Sequence, residues 1–77
     1  MRVLLVEDEP KVSRFVARGL AAERFAVDVA SDGKSGLEMA NTYDYDLVIL
    51  DLMLPLMDGT EVLRRIREKD SDVPILI

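Results

Sequence analysis

Apolar and polar positions alternate in two rhythms along this chain, and each change of rhythm marks a new element. Val3 to Val6 is a short aliphatic run closed by acids, the pattern of a strand buried on both faces. Val12, Phe15, Val16, Gly19 and Leu20 then recur at helical spacing. Pro10 suits the first turn of that helix and Glu9 the positive end of its dipole, which predicts a helix from about Pro10 to Glu23. From Phe25 to Ala30 the period returns to two, with Phe25, Val27 and Val29 on one side and Ala26, Asp28 and Ala30 on the other. The turn Ser31-Asp32-Gly33 leads into a shorter helix with Gly36, Leu37 and Ala40 inward, and Tyr43 to Asp46 reads as a polar connection. Leu47 to Leu50 repeats the first strand's pattern and ends in Asp51. Pro55 and Gly59 mark a loop over 52–59. Asp58 and Glu61 then have capping-box spacing for a helix that buries Val62, Leu63 and Ile66 and turns Arg64, Arg65 and Arg67 to solvent. Val73 to Ile77 reads as a fourth strand within which the chain stops.

The order βαβαβαβ requires right-handed crossovers and a parallel sheet with helices on both faces. A length of 77 residues allows one small domain, and 49% hydrophobic with 32% charged residues is the composition of a soluble globular chain. The net charge is −5 and the basic residues are scattered or confined to RRIREK, a solvated helix face, so direct contact with nucleic acid is not expected. Cysteine and histidine are absent, which removes disulfides, Cys/His zinc sites and histidine acid–base chemistry and agrees with a cytoplasmic location. MRVLLVEDEP is too short and too acidic for a signal peptide or a membrane span. Met39, Met53, Met57 and both Phe are expected to be packing residues.

The chemistry concentrates in LVILDLMLPLMDG, residues 47–59, where a lone carboxylate follows four aliphatic residues. Such an acid needs a compensating partner. In an open parallel sheet, ligands bind beyond the carboxyl ends of the strands, at the switch in strand order. Glu7 and Asp8 close the first strand and Asp51 closes the third, so if these strands are neighbours three carboxylates converge, a repulsion that a hard, oxygen-preferring cation relieves. Mg²⁺ is the expected ion, with Asp8 and Asp51 as direct ligands, the backbone carbonyl of Met53 as a third and Glu7 behind them. A carboxylate beside Mg²⁺ can also act as a nucleophile toward phosphorus. Taken singly, an acid at a strand end is more often a solvated loop residue or a helix cap, and capping is the expected role of Glu9 and Asp58.

VLLVEDEP, the Asp32-Gly33 pair, DLVILDLMLPLMDG, VLRRIR and VPILI together resemble the receiver domain of bacterial two-component response regulators, closest to those joined to a winged-helix DNA-binding domain. The resemblance runs the length of the chain. It implies a flavodoxin-like (CheY-like) doubly wound sheet in the order 2-1-3-4, of which residues 1–77 are the N-terminal part. It also implies Asp51 as phosphoacceptor, a sensor histidine kinase as partner, and Glu7, Asp8 and Met53 as the Mg²⁺-holding positions. Leu56 stands where that family often has glycine, a change expected to stiffen the loop. The family's Ser/Thr beyond the fourth strand and Lys after the fifth have no counterpart here. The chain is therefore expected to be a phosphoacceptor rather than an enzyme. It is also expected to expose apolar surface that favours a homo-oligomer, a domain swap or completion by another chain. The alternative is a switch-deficient fragment with a structural, oligomerising role. Two other readings are weaker: an enzyme, an aspartate-nucleophile phosphatase, needs a second acid where Met53 stands, and a dinucleotide-binding domain needs glycines where Glu7 to Pro10 stand.

Overall fold

The computed structural model describes residues 1–70 and 72–77. Strands β1 (Arg2–Val6), β2 (Ala26–Ala30), β3 (Leu47–Leu50) and β4 (Ile75–Leu76) alternate with helices α1 (Pro10–Ala22), α2 (Gly33–Thr42) and α3 (Gly59–Lys69). The strands form one parallel sheet in the order β2-β1-β3-β4, as expected. Val6 lies in register with Ala30 on one side and Leu50 on the other, so three strands end level with one another.

Alternation along the central strands explains why their sequences are aliphatic throughout. Leu4, Val6, Val48 and Leu50 face one side, where they join Ala30, Val62, Ile66 and Val73 in the main core under α2 and α3. Val3 and Leu5 point to the opposite face and are just as buried. Leu37, Met39, Ala40, Met57 and Leu63 pack against the main core. Gly36 lets α2 approach the sheet closely, since a Cβ there would lie 2.9 Å from both methyl carbons of Val6.

Glu9 and Asp58 cap their helices as the sequence suggests, and Asp32, expected only as a turn residue, caps α2. Glu9 accepts from the Lys11 N–H, Asp32 from the Ser35 N–H and Asp58 from the Thr60 N–H. The reciprocal half of the α3 capping box is replaced by other partners, because the Glu61 carboxylate bonds Arg64 and Arg65 instead. Those two guanidiniums hold Glu61 down to about 2.

Several expectations need correction. The buried position of α1 is Ser13, whose hydroxyl donates to the Pro10 carbonyl, whereas Val12 and Phe15 face solvent; Phe15 is 69% exposed. Met53 is also no packing residue, at 85% exposure on the loop after β3. Val29 is half exposed while Ala30 carries the burial of β2, because only the strand's last residue reaches the main core. Arg67 turns back to donate to the Val73 carbonyl at 2.5 Å rather than lying in solvent. β4 is confined to Ile75 and Leu76 of the expected Val73–Ile77.

At the amino ends of the strands, Tyr45 is a structural anchor rather than part of a polar connection. Its hydroxyl donates to Asp28 Oδ2 at 2.8 Å, and Arg2 Nε and Nη2 donate to the same oxygen at 3.0 and 2.8 Å. The Arg2 guanidinium lies over the rings of Tyr43 and Tyr45, 4.8 and 5.5 Å from their centroids. The Arg2 N–H donates to Asp46, which joins the starts of β1 and β3. The Tyr45 hydroxyl, and after it Arg2, keep the Asp28 carboxyl below the usual carboxylate range. Burial, and then Asp28, push the Tyr45 phenol up to about 12.

Candidate metal centre

The sheet register brings the acids together. The ladder continues one step past the ends of the strands, with the Glu7 N–H donating to the Ala30 carbonyl and the Asp51 N–H to the Val6 carbonyl, both at 3.0 Å. Glu7 and Asp51 therefore emerge side by side at the carboxyl rim of β1 and β3. One carboxylate oxygen from each of Glu7, Asp8 and Asp51 lies within 4.8 Å of the others. Glu7 and Asp51 are half-buried and Asp8 is exposed.

Three like charges at this separation need compensation. Burial raises the Glu7 carboxyl above its ordinary value, and the neighbouring Asp8 and Asp51 carboxylates raise it further against the opposing hydrogen bond from the Glu9 N–H. The donor set consists of oxygens alone, from half-buried and exposed carboxylates. It fits a hard divalent cation that keeps part of its water shell and excludes a soft-metal site.

The loop after β3 shapes the centre. Met53 donates its N–H to Asp51 Oδ1 at 3.0 Å, which fixes one side of the carboxylate while the Met53 side chain points to solvent. Two glycines set the loop's path. A Cβ on Gly59 would lie 2.4 Å from the Leu52 Cα and 2.5 Å from the Asp51 carbonyl oxygen. A Cβ on Gly33 would lie 2.0 Å from the Met57 carbonyl oxygen. From sequence these two read only as turn and helix-start signals; that the loop presses on both depends on contacts between distant segments. The Gly33 N–H donates to the Pro55 carbonyl at 3.3 Å, tying the loop to the start of α2.

A cavity of about 210 Å³ opens at the opposite end of the sheet, lined by Asn41, Tyr45, Val48, Ile66, Lys69 and Val73 among others, and shares no residue with the acidic cluster. Among the described residues no helix is long and apolar enough to cross a membrane.

The family model for the response regulator receiver domain matches residues 3–77. The chain belongs to this receiver family. This receiver segment is 43% identical over 77 residues to the transcriptional regulatory protein CusR of Escherichia coli, covering all of this chain and 34% of CusR. It is 49% identical over 76 residues to the transcriptional activator protein IrlR of Burkholderia pseudomallei, covering 99% of this chain and 33% of IrlR. The segment thus spans about a third of these curated relatives. Among solved structures, the response regulator TrrA of Thermotoga maritima in complex with Mg²⁺ and BeF superposes with a TM-score of 0.92 at 38% identity, over 96% of this chain and 64% of that one. TrrA is also described in complex with the histidine kinase ThkA, where the match has a TM-score of 0.89. The receiver domain of a Pseudomonas aeruginosa sensor histidine kinase, described with magnesium coordinated in its active-site cleft, matches at 0.93 with 32% identity, over 96% of this chain and 62% of that one.

Proposed function

We propose that this receiver segment accepts a phosphoryl group on Asp51 from the phosphohistidine of a sensor histidine kinase, with Mg²⁺ held by Asp8, Asp51 and the Met53 carbonyl and oriented by Glu7. The observation that carries the reading is the convergence of the Glu7, Asp8 and Asp51 oxygens within 4.8 Å at the carboxyl rim of the sheet. The complex of TrrA with a histidine kinase and the magnesium described in a related cleft support it. The alternative of a switch-deficient, oligomerising fragment gains no support from the fold or the relatives.

In the transfer, one Asp51 oxygen forms a bond to phosphorus while the bond from phosphorus to the imidazole nitrogen breaks. The product is an acyl phosphate, and the released imidazole takes up a proton from solvent. Asp8, Asp51 and the Met53 carbonyl would hold Mg²⁺, which would supply positive charge against the phosphoryl oxygens. Within the chain, Met53 N–H orients the nucleophilic carboxylate, and the β1 and β3 register holds Glu7 and Asp8 beside it. The segment serves as a phosphoacceptor in the cytoplasm, not as an enzyme turning over a separate substrate.

Titration with MgCl₂ followed by amide NMR tests the site. Resonances of Glu7, Asp8, Asp51 and Met53 are expected to move together and saturate, and a second set of shifts is expected on adding beryllofluoride. Shifts scattered over the surface without saturation would remove the metal site and the reading with it.

A further inference from the structure

Leu56 is the residue in the loop over Asp51 whose backbone does not suit its side chain. Its φ is 67°, in the left-handed region, and the Met57 N–H donates across it to the Pro55 carbonyl at 2.8 Å. A hydrogen bond from residue i+2 to residue i around a central φ near +70° is a γ-turn of the strained hand. A branched side chain at such a φ shifts a local equilibrium by about tenfold against the turn, a penalty glycine avoids. The Leu56 side chain recovers nothing by packing, since it is 80% exposed.

The same turn anchors the loop. The Pro55 carbonyl that accepts from Met57 also accepts from Gly33 on α2, and Gly59 N–H donates to the Leu52 carbonyl at 3.0 Å. Between those anchors Met53 N–H holds Asp51 Oδ1. If Leu56 relaxes to negative φ, the Pro55 carbonyl is redirected and the anchor on Gly33 is lost. A stiff side chain in the wrong backbone well thus loosens the loop instead of stiffening it.

We propose that Leu56 is a positioning residue for Asp51: its strained turn sets how often the loop 52–58 releases, and only the closed loop fixes the Asp51 carboxylate through Met53 N–H. This rests on the phosphoacceptor reading for its consequence in chemistry but not for the loop equilibrium itself.

The test compares Leu56→Gly, Leu56→Asn and Leu56→Val in the same 77-residue chain. Glycine and asparagine tolerate positive φ, whereas a β-branched valine tolerates it less than leucine. Amide hydrogen exchange at Gly33, Met53 and Met57 is expected to slow about tenfold in L56G, to slow by less in L56N and to quicken in L56V, with β1 amides unchanged. With acetyl phosphate and saturating Mg²⁺, capture at Asp51 is expected to keep at least the wild-type rate in L56G and L56N. In L56V it is expected to fall severalfold, with the acetyl phosphate concentration for half-maximal rate unchanged. Equal exchange across the series overturns the proposal, and so does L56N losing capture as L56V does, because the side chain rather than the turn would then matter. A wild-type chain that takes no phosphoryl group counts against the phosphoacceptor reading alone, and the exchange order still decides the loop equilibrium.

Discussion

Replacing Tyr45 by Phe isolates one hydrogen bond in the anchor at the amino ends of the strands. The ring keeps its place near Arg2 and Tyr43, and the only atom removed is the hydroxyl oxygen 2.8 Å from Asp28 Oδ2. A hydrogen bond to a charged acceptor contributes about 1.5–3 kcal/mol when well buried. The Asp28 side chain is 30% exposed and keeps both donors from Arg2, so solvent screening reduces the loss to about 1 kcal/mol. For a domain of this size that lowers the melting midpoint by roughly 4–8 °C. The pH dependence gives a second reading. The Tyr45 phenol is raised to about 12, above its ordinary value, so its contribution is complete below about pH 10 and is lost as pH rises toward 12. The Asp28 carboxyl is lowered, so its contribution is present above the ordinary aspartate pKa and fades as pH falls through the depressed value. Circular-dichroism melts of wild type and Y45F across this range test both. The gap between them should close on the alkaline side. An unchanged midpoint in Y45F, or a gap that persists above pH 12, refutes the anchor.

Four further outcomes follow from the same contacts. Gly59→Ala places a methyl group against the Leu52 and Asp51 backbone, so it should destabilise by about 1–3 kcal/mol in urea melts and weaken Mg²⁺ binding by shifting the loop. Leu4→Ala empties the centre of the main core and should cost about 2–5 kcal/mol, a large share of the domain's stability, read as a lowered midpoint in urea melts followed by circular dichroism. Asp51→Asn removes one of three mutually repelling charges, so in metal-free buffer its melting midpoint should rise above wild type, while the rise wild type shows on adding Mg²⁺ should vanish. The exposed Val12, Phe15 and Leu76 should make the chain self-associate with rising concentration, and light scattering showing a monomer throughout would contradict that.

The elements and their order were legible because each carries a single strong period. Leu47 to Leu50 cannot be amphipathic, so they had to be central, and the acids at the ends of two such strands then had to share a rim. Gly36 and the α3 stripe likewise read correctly from spacing. The misreadings fall where a residue's surroundings come from a distant segment. Phe15 and Val12 match helical spacing as well as Ser13 does, and only the docking angle of α1 decides which row meets the sheet. Met53 follows an apolar run in sequence, but the chain leaves the sheet at Asp51 and carries it outward. Tyr45 sits among acids and reads as part of a polar connection, because its partner Asp28 is 17 residues away and its second neighbour Arg2 further still. In sequence Leu56 is only a replacement for glycine; its left-handed backbone is visible only in the structure.

The most direct test is the intact mass of the wild-type chain and of D51N after incubation with acetyl phosphate, with Mg²⁺ and with the metal removed by chelation. The account predicts one added phosphoryl group on the wild type with Mg²⁺, carried by the peptide containing Asp51, and none in the other three samples. Phosphorylation that persists in D51N, or that forms on the wild type regardless of Mg²⁺, would contradict it.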